Sequence, residues 1–337
     1  MCNGDGVMGF FSKIVLFMSF IISIISFTVC AVENRIDGLY VNTFGSSLNP
    51  AIIFVHGGPG YNSHDFEVST ADKLAKSGYF VIVYDQRGQG RSNVAISPQD
   101  YTYRKYADDI LSLILKMKLR NVTLIGHSHG GPISIQFARF YPGVVEKIIL
   151  VSAPVNFWAT MKSIVINCLP RLQNQNKFDE IFKLNLNFEK LSDLNQPFVN
   201  QVSYNNGLFT EAMGCGLYKT KIETSDATKL RAELEIDKKK FEVSRNNMFL
   251  PMGNFLVNEN YIRLDYSSSV QNNSARIFGI YGDEDGLFTQ QILEEIKTSL
   301  KGNQNPYNFQ LIKGSSHSVY IDQNQKFIEA VLNILKY

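Results

Sequence analysis

The fold is decided by the stretch at positions 121–131, which reads NVTLIGHSHGG. Its first residues are apolar and β-branched and predict a short buried strand over 121–125, while 132–141 has the character of a helix. Positions 126–130 match the pattern G-x-S-x-G between a strand and a helix, which is the context of a nucleophile elbow. Ser128 is therefore the candidate nucleophile, and an ordinary glycine turn is the alternative.

The rest of the chain alternates strands with helices on both sides of that stretch. Apolar runs predict strands, and most of them end in a cluster of glycines or polar residues; the strands are expected at 38–44, 51–55, 80–84, 147–151, 275–281 and 307–312. This alternation predicts an α/β protein whose sheet is mostly parallel, with helices on both faces. Because parallel strands present their carboxyl ends at one edge, a single site along that edge is expected.

Composition divides the chain into segments. Residues 32–155 and 274–337 carry the strand–helix pattern and form the two parts of the core. Between them, 156–273 is rich in Asn and Lys, shows irregular helical patterns, and follows a core strand. We expect this segment to be a mainly helical cap over the edge that holds the site.

A serine nucleophile needs a base, and the base needs a carboxylate to orient it. His317 lies in a small-residue loop after the last predicted strand and is the histidine downstream of the candidate acids. Asp285 ends a turn that follows a buried strand, and Asp283 in the same turn is the alternative acid. The order Ser128, Asp285, His317 thus predicts a catalytic triad.

Three motifs resemble the proline iminopeptidase family of serine peptidases, which has the α/β-hydrolase fold. They are HGGPG at 56–60, DQRGQGRS at 85–92 and GSSHS at 314–318. The resemblance covers about 36–155 and 275–337 and weakens in the cap. One departure is His129, because the family often has an aromatic residue after the nucleophile.

The resemblance also implies the groups that would bind substrate. The oxyanion hole is expected at the N–H of Gly58, with Gly57 as the alternate, and at the N–H of His129. Within 258–261, which reads NENY, Glu259 resembles a cap glutamate that binds the free amine of the substrate. A solvated helix glutamate is the other interpretation of Glu259. Asp85 and Arg87 are expected to hold loops together.

Composition limits the remaining possibilities. There are 33 basic and 31 acidic residues and no basic stripe with interleaved aromatics, so a nucleic-acid partner is not expected. The four cysteines form no C-x-x-C pair, and we predict neither a metal ligand nor another cofactor. Cys168 and Cys215 form either a disulfide or two free thiols. The oligomeric state is left open.

The amino-terminal segment predicts export. Residues 14–31 are apolar and uncharged, and as a helix they would span ~27 Å, close to the ~30 Å hydrocarbon core. Residues 1–31 are therefore either a cleaved signal peptide, with the mature chain starting near Val32, or a membrane anchor. The protein is expected to be secreted, periplasmic or anchored.

Taken together, the sequence predicts a serine hydrolase, and the resemblance implies an aminopeptidase that releases one amino-terminal residue, often proline. An esterase or amidase of the same fold, acting on small acyl substrates, is the first alternative. A catalytically inactive binding protein is the second.

Overall fold

An eight-stranded, mostly parallel sheet organises the structure, which is a computed structural model describing residues 35–92, 97–193, 198–238, 249–273, 276–302 and 304–337. The strands lie in the order β1-β2-β4-β3-β5-β6-β7-β8. The first two pairings, β1 with β2 and β2 with β4, are antiparallel, and the others are parallel. The strands are β1 (Arg35–Ile36), β2 (Leu39–Phe44), β3 (Ala51–Val55), β4 (Phe80–Tyr84), β5 (Val122–His127), β6 (Val145–Val151), β7 (Ile277–Gly282) and β8 (Phe309–Ile312).

The helices of the described residues fall into a core set and a cap set. The core helices are α1 (His64–Phe66), α2 (Asp72–Lys76), α3 (Tyr103–Lys116), α4 (Gly130–Phe140), α11 (Gln290–Ser299), α12 (Val319–Asp322) and α13 (Asn324–Lys336). The cap helices, inserted between β6 and β7, are α5 (Phe157–Asn174), α6 (Phe178–Ser192), α7 (Phe198–Gly214), α8 (Ser225–Lys238), α9 (Phe249–Glu259) and α10 (Ser267–Asn272). A π-helical turn, Glu67–Ala71, joins α1 to α2.

Both faces of the sheet are buried, as expected for parallel strands covered by helices. All five residues of β3 are buried, and they alternate between two hydrophobic clusters. Ile53 and Val55 pack into the larger cluster, and Ile52 and Phe54 pack into the other, because successive side chains of a strand point to opposite faces. Core helices and a helical cap surround this sheet, so the predicted fold class is confirmed.

The cap is held together by packing and by one covalent link. Cys168 of α5 and Cys215, just after α7, form a disulfide with a Cα–Cα distance of 5.7 Å. Both residues are buried, and Leu172, Leu184 and Leu208 of the cap belong to the same hydrophobic cluster as the larger core face. The structure thus selects the disulfide over two free thiols.

The amino-terminal prediction falls on residues outside the described part of the chain, so the export segment at 14–31 stays a prediction. Within the described ranges, no helix combines the length and apolar character needed to cross a membrane.

Candidate active site

Ser128 sits on a sharp turn between β5 and α4. Its φ is 50°, in the left-handed region that residues other than glycine seldom adopt. The flanking glycines are required by close approach: a Cβ on Gly126 would lie 2.6 Å from the Gly130 carbonyl oxygen, and one on Gly130 would lie 2.0 Å from the Val55 oxygen. β5 runs to His127, two residues further than the sequence predicts, so the strand leads directly into the turn. This is the backbone geometry of a nucleophile elbow.

Asp285 and His317 form a buried pair at the same sheet edge. His317 Nδ1 lies 2.9 Å from Asp285 Oδ2, and the residues are 5% and 3% exposed. A carboxylate only accepts, so Nδ1 carries a proton, and the neutral form of the ring has its lone pair on Nε2. Asp283 has another role, since its Oδ1 accepts a 2.7 Å hydrogen bond from Gly314 N. Asp285, rather than Asp283, therefore orients the histidine.

One cavity brings the serine and the histidine together. It has a volume of about 320 Å³, and Ser128 and His317 both line it. The wall is largely apolar, with side chains from the cap and the core: Phe157, Met161, Phe209, Met213, Tyr261 and Phe288. This volume lies near the small end of the ~300–1,000 Å³ range of ligand pockets.

The loop at 56–60 is held by His56. Gln86 N donates to His56 Nε2 over 2.9 Å, so Nδ1 carries the proton and donates to Gly57 O at 2.6 Å. Burial lowers the pKa of His56 to about 4, which keeps the ring neutral at ordinary pH. His56 thus fixes the carbonyl of Gly57. Gly57 and the next residue, Gly58, both line the cavity.

The two N–H groups expected to form the oxyanion hole are available. Within the part of the chain that the structure describes, neither Gly58 N nor His129 N donates a hydrogen bond to another residue. His129 is the N-cap residue of α4, so its N–H lies at the positive end of a helix.

The motif at 85–92 forms a scaffold for this loop. Gln89 Oε1 accepts from Gly60 N at 2.5 Å. Asp85 is fully buried and accepts from Ser63 N and Oγ, while Arg91 Nε donates to Asp85 Oδ2 at 2.7 Å. Burial opposes the charge of Asp85, but the hydrogen bonds and positive charge of Arg91 prevail and lower its pKa.

Arg87 makes a separate contact outside this cluster. Its guanidinium donates twice to Asp109, over 2.7 and 2.5 Å, and so fastens the motif to α3. Asp85 and Arg87 thus support loops, and neither is one of the described residues that line the cavity.

His127 connects the elbow to the histidine loop. Its Nε2 donates to the backbone oxygen of His317 over 3.0 Å, and the two rings are 5.0 Å apart between centroids. Burial, followed by the neighbouring His317, lowers the pKa of His127 to about 3. A neutral ring thus holds the backbone that carries the candidate base.

Comparison with known families decides the classification. Residues 50–323, most of the chain, match the family model described as the alpha/beta hydrolase fold.

The chain is an α/β-hydrolase.

Curated relatives add detail at lower coverage. The proline iminopeptidase of Lactobacillus helveticus strain DPC 4571 is 30% identical over 160 residues, which are 46% of this chain and 54% of that protein. The proline iminopeptidase of Saccharolobus solfataricus is 33% identical over 157 residues, 45% of this chain and 46% of its own length. This α/β-hydrolase therefore spans about half the length of the curated relatives it matches.

Solved structures share the fold. A proline iminopeptidase-related protein from Thermus thermophilus aligns with a TM-score of 0.63 and 22% identity, covering 88% of this chain and 94% of that one. An esterase from Exiguobacterium antarcticum aligns with a TM-score of 0.58 and 20% identity, covering 89% and 96%.

The structure does not bring Glu259 to the cavity. Its Oε1 accepts a 2.7 Å hydrogen bond from Tyr103 N, at the first turn of α3, and Glu259 is not one of the described residues that line the cavity. Burial raises the pKa of Glu259, and the Tyr103 hydrogen bond offsets part of that shift. Among the described residues, the carboxylate that lines the wall is Asp65, which accepts from Tyr61 OH at 2.5 Å.

Two polar cavity residues that carry the proposals, Asp65 and Asn205, were not found from the sequence. Asp65 lies five positions after the HGGPG motif. This short distance along the chain from the oxyanion loop was a signal that Asp65 could lie near the site. Asn205 lies in the cap, and the spacing of four that it shares with Phe209 and Met213 could have indicated a common helix face. Among the described residues, no group of three or more histidines, cysteines or carboxylates is arranged to hold a metal ion.

Proposed function

We propose that this α/β-hydrolase is a serine hydrolase that uses Ser128, His317 and Asp285 as a catalytic triad. The observation that carries the proposal is the Asp285–His317 pair, buried beside a cavity that Ser128 also lines. The pair leaves the Nε2 lone pair of His317 available, which is the tautomer that a general base requires.

The reaction follows from these positions. His317 Nε2 takes the proton of Ser128 as Oγ attacks the scissile carbonyl, and Asp285 stabilises the imidazolium that forms. The N–H groups of Gly58 and His129 stabilise the oxyanion, each worth ~3–4 kcal/mol of barrier. The tetrahedral intermediate collapses to an acyl-enzyme as His317 returns its proton to the leaving nitrogen. A water molecule then repeats the sequence and releases the acid.

We propose further that the substrate is an amino-terminal residue with a free amine, with proline among those accepted. A small cavity with a largely apolar wall suits one short side chain, and Asp65 supplies a carboxylate for the charged amine. The curated relatives named proline iminopeptidase support the same substrate class. In this proposal Asp65 takes the role that the sequence suggested for Glu259.

The test compares three substrates on one preparation: prolyl-arylamide, its N-acetyl analogue and a short acyl ester. Acetylation removes the charge that Asp65 would pair with, so kcat/KM for the arylamide should fall by at least ~10². Equal cleavage of free and acetylated arylamides, with faster cleavage of the ester, would favour the esterase alternative.

Export remains part of the proposal, and the buried Cys168–Cys215 disulfide supports it, because such bonds persist in oxidising compartments. Mass spectrometry of fractionated cells is expected to find an exported chain that starts near Val32. A full-length chain that stays with membranes after carbonate washing would establish the anchor instead.

A further inference from the structure

Cap helix α7 directs three side chains, spaced four residues apart, into the cavity. Asn205, Phe209 and Met213 all line the wall, and residues four apart share one face of a helix. Phe209 and Met213 match the apolar surroundings. Asn205 is the polar exception in this row.

Asn205 is buried without a hydrogen-bond partner. It is 1% exposed, and within the described residues neither Oδ1 nor Nδ2 has a partner. A buried amide left unsatisfied destabilises a protein, so such groups are rare and call for a specific explanation. Since this amide borders the cavity, a molecule bound there can supply the missing partner.

Two other polar side chains of the same wall have hydrogen-bond partners within the protein. Thr160 Oγ1 donates to Asn156 O over 3.0 Å, and Asp65 accepts from Tyr61 OH. Asn205 differs because neither its acceptor oxygen nor its donor nitrogen has a partner within the described residues. A neutral amide also differs from Asp65 in kind, because it recognises a hydrogen-bonding group whether or not that group is charged.

We infer that Asn205 is a substrate-binding residue of the cap, whose Oδ1 accepts a hydrogen bond from an N–H or O–H on the carbon next to the scissile carbonyl. The inference rests on the proposed serine hydrolase function. It assigns selection of a hydrogen-bonding α-substituent to Asn205 and selection of charge to Asp65.

Three arylamides of nearly equal size separate these two contributions: alanyl, lactyl and propionyl. Their α-substituents are an amine, a hydroxyl and a hydrogen. The ratio of kcat/KM for the lactyl substrate to that for the propionyl substrate therefore measures recognition of a neutral donor. The ratio for alanyl to lactyl measures recognition of charge. The ratio of kcat/KM within one preparation cancels any loss of folded enzyme. It can therefore be measured on variants that are only partly active.

Asn205→Leu keeps the size of the side chain and removes its polar atoms. We expect its lactyl-to-propionyl ratio to fall about tenfold, the equivalent of ~1.4 kcal/mol, and Asn205→Ala to show the same direction. Asn206→Leu is the matched control: Asn206 is the next residue of α7 and also has an unsatisfied Oδ1, but it does not line the cavity. Its ratio should equal that of the wild type.

Thermal unfolding gives a second readout. Replacing an unsatisfied amide by a hydrocarbon of similar size should leave Tm unchanged or raise it, whereas a structural role for Asn205 would lower Tm. An unchanged lactyl-to-propionyl ratio in both Asn205 variants would overturn the inference while leaving the proposed function in place. A wild type that fails to prefer alanyl over lactyl would instead contradict the aminopeptidase, and Asn205 would still be tested by the other ratio.

Discussion

The core edge and the cap hold their cavity-facing side chains by different means. At the core edge, Ser128 directly follows β5 and Asp285 lies three residues after β7, so the register of parallel strands fixes both. In the cap, Asn205 and Phe209 project from a helix that is positioned by side-chain packing and by a nearby disulfide. The difference teaches that backbone pairing positions the proposed reacting groups, while packing positions the groups proposed to recognise substrate.

Substitutions in the two regions are expected to have different effects. Changes at the core edge should lower turnover for every substrate, because all substrates share the same chemistry. Changes in the cap should alter the ranking of substrates and leave turnover on the preferred one of similar order.

Ser128→Ala should lower kcat by ~10⁶ for all substrates, the scale of nucleophile loss in a serine protease. Steady-state assays with prolyl-arylamide, corrected for contaminating activity, measure it. Ser152→Ala is the matched control, since Ser152 follows β6 at the same edge with φ of 46°. That variant should keep near-wild-type turnover, and residual activity in Ser128→Ala above ~10% would contradict the assignment of the nucleophile.

Asp285→Asn should lower kcat by ~10⁴, because an amide cannot stabilise the imidazolium and favours the wrong tautomer of His317. Asp283→Asn provides the comparison within the same turn. It retains an oxygen that can accept from Gly314 N, so the expected loss is less than about tenfold. The reverse ranking of the two variants would transfer the acid to Asp283.

The core edge could be predicted because its signals are local. The elbow requires glycine at 126 and 130 for close backbone approach, and the strand–turn–helix pattern lies within the 21 consecutive residues 121–141. The contact between Asp285 and His317 spans 32 positions, yet each residue follows a predicted strand, so parallel pairing brings them to one edge.

The cap could not be predicted in the same way. The position of Glu259 depends on how α9 packs against α3, a contact across 156 residues that no local pattern encodes. Asn205 was missed for the same reason, because the direction of a helix face is set by tertiary packing.

His129 lies where the core and the cap meet, and its buried polar ring is expected to make the stability of the protein depend on pH. Its ring is fully buried against Tyr103, Phe255 and Tyr261, and neither nitrogen has a partner within the described residues. Burial lowers its pKa to about 3. In the unfolded chain the histidine binds a proton below about pH 6.5, whereas in the folded protein it stays neutral until the pH is near 3. The free energy of unfolding therefore decreases as the pH falls from 6.5 toward 3.

We expect His129→Phe to be stable and less sensitive to acid. Between pH 7.5 and pH 5 the neutral His129 accounts for about 2 kcal/mol of lost unfolding free energy, and phenylalanine removes that loss. Urea unfolding of both proteins at both pH values measures it. The difference at pH 7.5 reports packing alone, and an equal fall for both proteins would show that His129 does not carry the pH dependence.

Glu259→Gln has the smallest expected effect and the most direct bearing on the comparison. The carboxylate accepts from Tyr103 N at the start of α3, where a negative charge near a helix N-terminus contributes up to ~1 kcal/mol. Glutamine still offers an oxygen to that N–H, and removing a charge that burial disfavours offsets part of the loss. Unfolding free energy should therefore fall by less than ~1 kcal/mol. The alanyl-to-lactyl ratio should stay within about twofold.

Asp65→Asn is the matched variant, because it also neutralises one carboxylate while keeping the shape of the side chain. It should lower the alanyl-to-lactyl ratio by at least about tenfold, since the amine would lose its opposite charge in a largely apolar wall. If Glu259→Gln lowers that ratio and Asp65→Asn does not, the two carboxylates exchange roles. The cap would then select charge, and α9 would have to move its glutamate from Tyr103 to the cavity when substrate binds. In that case charge recognition would depend on a movable cap helix rather than on Asp65 of core helix α1, and the assignment of charge selection to Asp65 would fail.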